Sequence, residues 1–592
     1  MKRASKKVLI AAVLVLALII YLVLRPGQAP RQNVQLQVSE SLFSGLQTDH
    51  AAYKPGENVR FSLNSRVRDA QLSVTYYHLD QKIGEQTVSA AGKREISWNW
   101  QPPDRDFSGY LAVVKLQDSG RVQRETIGID VSGDWSKFPR YGFLSNFQAM
   151  TEAQIQSTIG QLNRYHINGI QFYDWSEKHH QPVTVNNGSI PSTWTDIAGR
   201  SVDRWTVRSY IDAAHARGMK AMSYNLLYGA LANSEQDGTQ RGWFLFKDPN
   251  HNQVDVNPLP AGWKSDIYLM NPANPGWQNY LIRQQKTVYQ FLPFDGWHVD
   301  QLGDRGTVYD ENGHVVPLQN SFSGFLNQIR SQMPDKDLVM NAVGQFGQQD
   351  IASADVNFLY SEVWDQTPSY GDLRKIIDAN SNYSGGRKSS VLAAYMDYRK
   401  SDGTGTFNTP GVLLTDSVIF ASGGDHIELG EHMLSKEYFP FSHLAMSSDL
   451  QNRITHYYDF LTAYENLLRD GAKNEPIDVH SEELLPLSAD PQQGHIWTFA
   501  KQVGNQKILH LINFLDAHSM NWRDTDGTQT KPATRRDLNF TVTEKKPVKK
   551  IWLVSPDYKN GIPVSLPFQQ KGSAVHLNVP SLEYWDMIVF NY

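Results

Sequence analysis

Two acidic side chains stand at the ends of apolar runs: Asp300 closes Gly296-Trp297-His298-Val299, and Glu362 closes Phe358-Leu359-Tyr360-Ser361. Desolvating a carboxylate in such a place is costly unless pairing or chemistry offsets it. Two carboxylates facing one cavity can divide a reaction between them. One stays ionised as a nucleophile while the other, held protonated by dry surroundings, donates a proton, and breaking a glycosidic bond requires such a pair. Other run ends supply groups that could grip a sugar: Tyr173 and Asp174 followed by His179 and His180, then Asn341, Trp364, Tyr395, Asp397 and Glu428. Aromatic planes suit the C–H faces of sugar rings, and amide, imidazole and acidic groups exchange hydrogen bonds with hydroxyls.

Each of these residues also has a structural reading. Asp300 could pair with Arg305, and Asp304 in Gly303-Asp304-Arg305-Gly306 suits a turn. His298 shares parity with Asp300 and is expected to face inward beneath it. A barrel mouth commonly holds several acids that bind hydroxyls only, a role open to Asp397, Glu428 and Glu431. Of the aromatics near these acids, most are expected in the core.

Such groups need a scaffold, and the pattern from residue 141 onward supplies one. Short apolar strands alternate with helical stretches, the mark of parallel βα units. Strands are expected at residues 141–147, 169–175, 220–228, 295–303, 337–343, 356–364, 390–398 and 426–430. Eight units point to a (β/α)₈ barrel, in which reacting groups lie at the carboxyl ends of strands. Residues 33–135 read instead as alternating strands broken by turn signals such as Tyr53-Lys54-Pro55-Gly56, and the tail from 471 returns to strands. The expected architecture is therefore multidomain. A leader at 1–32 precedes an immunoglobulin-like β-sandwich at 33–135, a central barrel at 136–470 and a C-terminal Greek-key β-sandwich at 471–592.

Composition removes several classes of function. At 592 residues the chain exceeds one hydrophobic core, and 40% hydrophobic with 20% charged residues describes a folded globular protein. A formal charge of -5 offers no field for polyanions, so nucleic acid is not an expected partner. The absence of cysteine excludes disulfides, thiolate metal sites and a cysteine nucleophile. With no His-x-x-x-His pair and no glycine-rich phosphate loop after any strand, neither a metal nor a nucleotide cofactor is expected. The uncharged apolar run 8–24, flanked by Lys2, Arg3, Lys6, Lys7 and Arg25, is long enough to span a bilayer core and reads as an export or anchoring segment. An extracellular, membrane-anchored or secreted protein follows, with no obligate protein partner evident.

At these residues the chain resembles glycoside hydrolase family 66, the dextranases and cycloisomaltooligosaccharide glucanotransferases. The resemblance rests on Tyr53-Lys54-Pro55-Gly56, Tyr141-Gly142-Phe143, Gln171-Phe172-Tyr173-Asp174-Trp175 with His179-His180-Gln181-Pro182, the Gly296 to Arg305 stretch, Tyr360-Ser361-Glu362-Val363-Trp364 and Met433-Leu434-Ser435-Lys436-Glu437-Tyr438-Phe439-Pro440. It implies a retaining mechanism on α-1,6-linked glucan, with Asp300 as nucleophile, Glu362 as acid/base and Asp174 near the scissile sugar. Cyclising members are expected to carry an inserted carbohydrate-binding module after the seventh strand. Here only residues 400–411 separate that strand from the next helix, so an endo-acting dextranase is expected. The alternatives are a cycloisomaltooligosaccharide glucanotransferase, a barrel glycosidase for another α-linked sugar, and a surface glucan-binding protein without turnover. The presence of both carboxylates speaks against the last.

Overall fold

The eight apolar runs fold as one parallel sheet, because strands covered by helices outside and by one another inside can be apolar on both faces. In the computed structural model, which describes residues 41–67, 71–89 and 92–592, these strands are β1 (Tyr141–Leu144), β2 (Gly169–Phe172), β3 (Lys220–Leu226), β4 (Gly296–Asp300), β5 (Asp337–Val343), β6 (Leu359–Glu362), β7 (Ser390–Ala393) and β8 (Gly424–His426). Each pairs with its neighbour in chain order. The two ends of the sheet also meet, since the Phe143 amide donates to the Leu429 carbonyl at 3.1 Å. Gly142 permits this closure: a Cβ there would lie 2.8 Å from the same carbonyl oxygen. The interior is filled by Tyr141, Phe143, Met222, Val339, Tyr360, Val391 and Ile427.

Most strands are shorter than expected. The residues that extend the runs, Trp175, Gly303, Trp364 and Tyr398 among them, stand in the loops above the strand ends. β8 begins two residues before the expected start, at Gly424.

Helices fill the spaces between strands: α1 (Glu152–Arg164), α2 (Arg204–His215), α3 (Pro275–Phe291), α4 (Phe322–Gln332), α5 (Gln348–Ser353), α6 (Tyr370–Ser384), α7 (Thr409–Ser422) and α8 (Ser448–Ala463). Their starts follow local chemistry. Thr151 and Gln154 form a reciprocal capping box at α1, Asp203 accepts from the Thr206 amide at α2, and Asn274 precedes Pro275 at α3. α7 is apolar on nearly all sides and buried, as a helix enclosed between the barrel and the following strands must be.

Two antiparallel sheets, one including Val59–Ser65 and Glu95–Trp100 and the other Gln71–His78, Ser108–Asp118 and Arg121–Val131, enclose a core of Phe61, Leu63, Val74, Tyr76, Val114 and Ile129 before the barrel. After it, sheets that include Ile496–Val503, Gln506–Asn513 and Trp585–Asn591, and Arg535–Thr543 with Ala574–Leu582, enclose Leu509, Phe540, Ile551, Val575 and Ile588. Residues 42–592 form one compact unit. At the barrel floor the buried Arg140 guanidinium meets Asp130 of the first sheets at 2.6 Å and Glu465 beyond α8 at 3.1 Å. The apolar leader, residues 8–24, lies outside the described residues; among those described, no helix is long and apolar enough to cross a membrane.

Candidate active site

Asp300 is the last residue of β4 and Glu362 the last of β6, so both carboxylates reach the carboxyl end of the barrel. The strand between them, β5, carries Asn341. Its side-chain nitrogen donates to Asp300 Oδ1 at 2.8 Å and to Glu362 Oε2 at 3.1 Å. Those two bonds cap the separation of the accepting oxygens at about 5.9 Å.

Further donors fix each acid. Tyr224 Oη, from β3, donates to Asp300 Oδ2 at 2.6 Å, and the Gln301 amide to Oδ1 at 2.8 Å. Tyr395 Oη donates to Glu362 Oε1 at 2.7 Å. Burial raises both carboxyls above their ordinary range. For Asp300 the bonds from Tyr224, Asn341 and Gln301 oppose that rise. Glu362 is pushed up to about 7, first by burial and then by the charge of Asp300. The pair thus joins a carboxyl whose anionic form accepts three hydrogen bonds that offset part of the burial penalty to another poised to carry a proton near neutrality. Arg305, the alternative partner for Asp300, instead pairs with Asp255 at 2.7 Å, and Asp304 accepts the Gly306 amide of its own turn.

The carboxylates open into a cavity of about 570 Å³. Tyr173, Asp174, His179, Asn341, Trp364 and Tyr395 line it. Asp174 has a left-handed backbone, φ 48°, and burial, opposed by Arg200, pushes its carboxyl to about 7. His179 hydrogen-bonds Asn225 at 3.1 Å, and burial lowers it to about 4, so it is neutral near pH 7. His298 lies on the cavity floor beneath Asp300, 3.2 Å from Tyr141 Oη, and is likewise neutral because burial lowers it to about 3.

Three expected sugar-binding residues point elsewhere. His180 faces away from the cavity, 2.8 Å from Asp237 and accepting the Leu231 amide. Asp397 lies past the end of β7 and accepts the Asn408 amide at 2.6 Å, which braces the start of α7. Glu428 shares parity with His426 and points outward, to Tyr458 of α8 at 3.2 Å, whereas Ile427 between them faces the interior. Trp175 and Trp297 are core residues.

Three lining residues had no expected site role: Tyr224, whose inward parity on β3 beside β4 was a usable signal, and the loop aromatics Trp263 and Tyr438, the latter known only as part of the 433–440 motif. Trp263 stands in the long segment between β3 and α3, and Tyr438 in the segment after β8. Their rings are 5.2 Å apart at the cavity wall, so two loops distant in sequence close one side of it. Tyr173 stacks on Phe439, with ring centres 4.4 Å apart.

Known proteins similar to this chain fall in one family. The chain is 28% identical to a cycloisomaltooligosaccharide glucanotransferase of Niallia circulans, over 91% of this chain and 71% of that protein. It is 24% identical to a dextranase of Streptococcus salivarius, over 87% of this chain and 72% of that protein. The crystal structure of a Paenibacillus sp. cycloisomaltooligosaccharide glucanotransferase complexed with cycloisomaltoheptaose superposes with a TM-score of 0.87 at 27% identity, covering 92% of this chain and 99% of that one. Residues 48–589 match glycosyl hydrolase family 66, and the chain belongs to that family.

Proposed function

We propose that this protein is an extracellular retaining glycoside hydrolase that cleaves internal α-1,6 linkages of dextran to isomaltooligosaccharides. The observation that carries the reading is the Asp300–Asn341–Glu362 arrangement, with a cap of about 5.9 Å between the accepting oxygens. Carboxyl groups ~5–5.5 Å apart suit a covalent intermediate, whereas inversion leaves ~6.5–9.5 Å for a water. Asp300 attacks the anomeric carbon as Glu362 protonates the departing oxygen, giving a glucosyl-enzyme. Glu362 then takes a proton from a water that attacks the anomeric carbon on the face the leaving group vacated, so the bond to Asp300 breaks and the sugar leaves with its configuration retained.

Hydrolysis is favoured over cyclisation by the loop after β7. Between Ala393 and Thr409 it holds a single short 3₁₀ turn, Lys400–Asp402, and the two-residue strand Gly405–Thr406, with no inserted domain. The second reading, transfer of the glucosyl group to a sugar hydroxyl to close a ring, is supported by the similarity to two proteins of that name. We further read the flanking sheets as immunoglobulin-like and Greek-key sandwiches, and residues 8–24 as the segment that carries the chain across the membrane. A polymer too large to cross that membrane must be cut outside it.

Mass spectrometry and anomer-resolved NMR of the products from dextran test the proposal. Linear isomaltooligosaccharides released first as the α-anomer are expected, with turnover abolished in Asp300→Asn while dextran binding persists. Cyclic products as the main species support the second reading, and near-normal turnover by Asp300→Asn removes the assignment of the nucleophile.

A further inference from the structure

Outside the active cavity, the described residues bring together one cluster of three metal-ligating types: Asp416 on α7, His426 at the end of β8 and Glu428 two residues beyond it. All three are buried, and one ligand atom from each lies within 4.8 Å of the others. His426 Nδ1 is 2.8 Å from Asp416 Oδ1 and 3.5 Å from Glu428 Oε2.

The other imidazole nitrogen decides what these atoms can accept. His426 Nε2 is 2.8 Å from the Ala394 carbonyl oxygen. A carbonyl only accepts, so Nε2 carries the proton and, in the neutral ring, Nδ1 presents a lone pair to the two carboxylates. Asp416 Oδ2 and Glu428 Oε2 are themselves buried without a hydrogen-bond donor. With both carboxyls ionised, three acceptors converge with no donor between them, and only a proton on Asp416 or Glu428, or a cation, can fill the gap. A histidine that ligates a metal characteristically gives its other N–H to a backbone carbonyl or a carboxylate, and ligating carboxylates are themselves hydrogen-bonded from outside. The Tyr458 hydroxyl stands at that outer position, 3.2 Å from Glu428 Oε1 and 3.0 Å from the His426 carbonyl, with one proton to share between them. A cation bonded at ~2.0–2.2 Å to each ligand needs ligand atoms no more than about 4.4 Å apart. Both His426–carboxylate distances meet this condition, the Asp416–Glu428 pair lies within 4.8 Å, and a double positive charge balances the two carboxylates.

We propose that Asp416, His426 and Glu428 bind one divalent cation of the zinc class as a structural site, separate from the catalytic carboxylates. The site joins α7, β8 and, through Tyr458, α8. It also holds the root of the loop that carries Tyr438 and Phe439, because the Leu434 amide donates to the Glu428 carbonyl at 2.8 Å. The competing arrangement is protons shared among the three groups, which burial also favours.

Elemental analysis of the full chain, purified without chelator or immobilised-metal resin, distinguishes the two. About one equivalent of a divalent metal is expected, falling at least tenfold in Glu428→Gln and Asp416→Asn and unchanged in Asp300→Asn. Removal of the metal by chelator lowers the Tm, and added Zn²⁺ restores it. The proposal is overturned if the wild-type protein holds below about a tenth of an equivalent and Zn²⁺, Mn²⁺, Mg²⁺ and Ca²⁺ leave its Tm unchanged. Metal retained in both cluster variants overturns it as well. Should those variants not fold, X-ray absorption of the wild-type protein decides: a shell of one imidazole with carboxylate oxygens supports the site, and an all-oxygen shell sinks it.

Discussion

Asn341 donates through one side-chain nitrogen to both Asp300 and Glu362, so a single amide sets the spacing of the two carboxylates and lowers the proton affinity of each. A hydrogen bond to a charged group is worth about 1.5–3 kcal/mol. Asn341→Ala is therefore expected to lower kcat ~10- to 100-fold. Both acids lose a bond that favours the ionised form, so both limbs of the pH–rate profile should move to higher pH. A drop in kcat with unmoved limbs would assign Asn341 a merely structural part.

The wild-type profile follows from the same groups. Turnover requires Asp300 ionised and Glu362 protonated, so activity rises as Asp300 loses its proton and falls as pH passes through about 7, where Glu362 ionises. The charge of Asp300 is the second cause of that elevation, after burial. In Asp300→Asn, Glu362 should titrate at lower pH, followed by carbon NMR of labelled glutamate. An unchanged or higher titration point contradicts the coupling.

Holding Glu362 protonated also has a cost in stability. Below its unfolded pKa the carboxyl is protonated in both states and contributes nothing. As pH rises from there to about 7, the unfolded chain ionises while the folded one cannot, so stability is lost. At ~1.36 kcal/mol per unit the full loss is roughly 3 kcal/mol. Glu362→Gln should thus unfold at higher temperature than wild type at pH 8 and at the same temperature at pH 4, while turning over dextran ~10²–10⁴-fold more slowly. Equal melting at both values removes the argument.

Eight strands were legible because a parallel strand covered on both faces reads as an unbroken apolar run, and the two acids because each ends such a run. What failed was direction beyond the strand ends. In a strand, parity reports which face a side chain takes, but Asp397 lies past β7, where its φ of 53° breaks the alternation. Glu428 kept parity with His426, and that shared face is the outer one, toward the helices. Trp263 and Tyr438 left no periodic trace, since their pairing depends on two long loops meeting.

That pairing carries its own expectation. Trp263 and Tyr438 line the same wall, with the Arg200 guanidinium 5.6 Å from the Tyr438 ring. An aromatic contact is worth about 0.5–1.5 kcal/mol beyond its buried area. Trp263→Ala should raise KM for long dextran ~2- to 10-fold, with kcat little changed because neither acid is touched. A fall in kcat at constant KM would place Trp263 in the chemical step instead.

Arg140 tests the scaffold apart from the chemistry. It is wholly buried, and its guanidinium meets Asp130 and Glu465 and donates through Nε to the His166 carbonyl at 2.6 Å. These partners lie on the first sheets, beyond α8 and just before β2, so one side chain joins three parts of the chain. Removing one member of such a buried set leaves charge without compensation and costs about 3–5 kcal/mol. Arg140→Met should lower the melting temperature markedly, and adding Asp130→Asn should recover part of the loss, because the uncompensated carboxylate is then gone. Since the cluster sits at the barrel floor and the acids at its mouth, kcat per folded molecule should stay within about twofold. A loss of stability below about 1 kcal/mol in Arg140→Met would show that the neighbouring carboxyls take up protons when the guanidinium is removed.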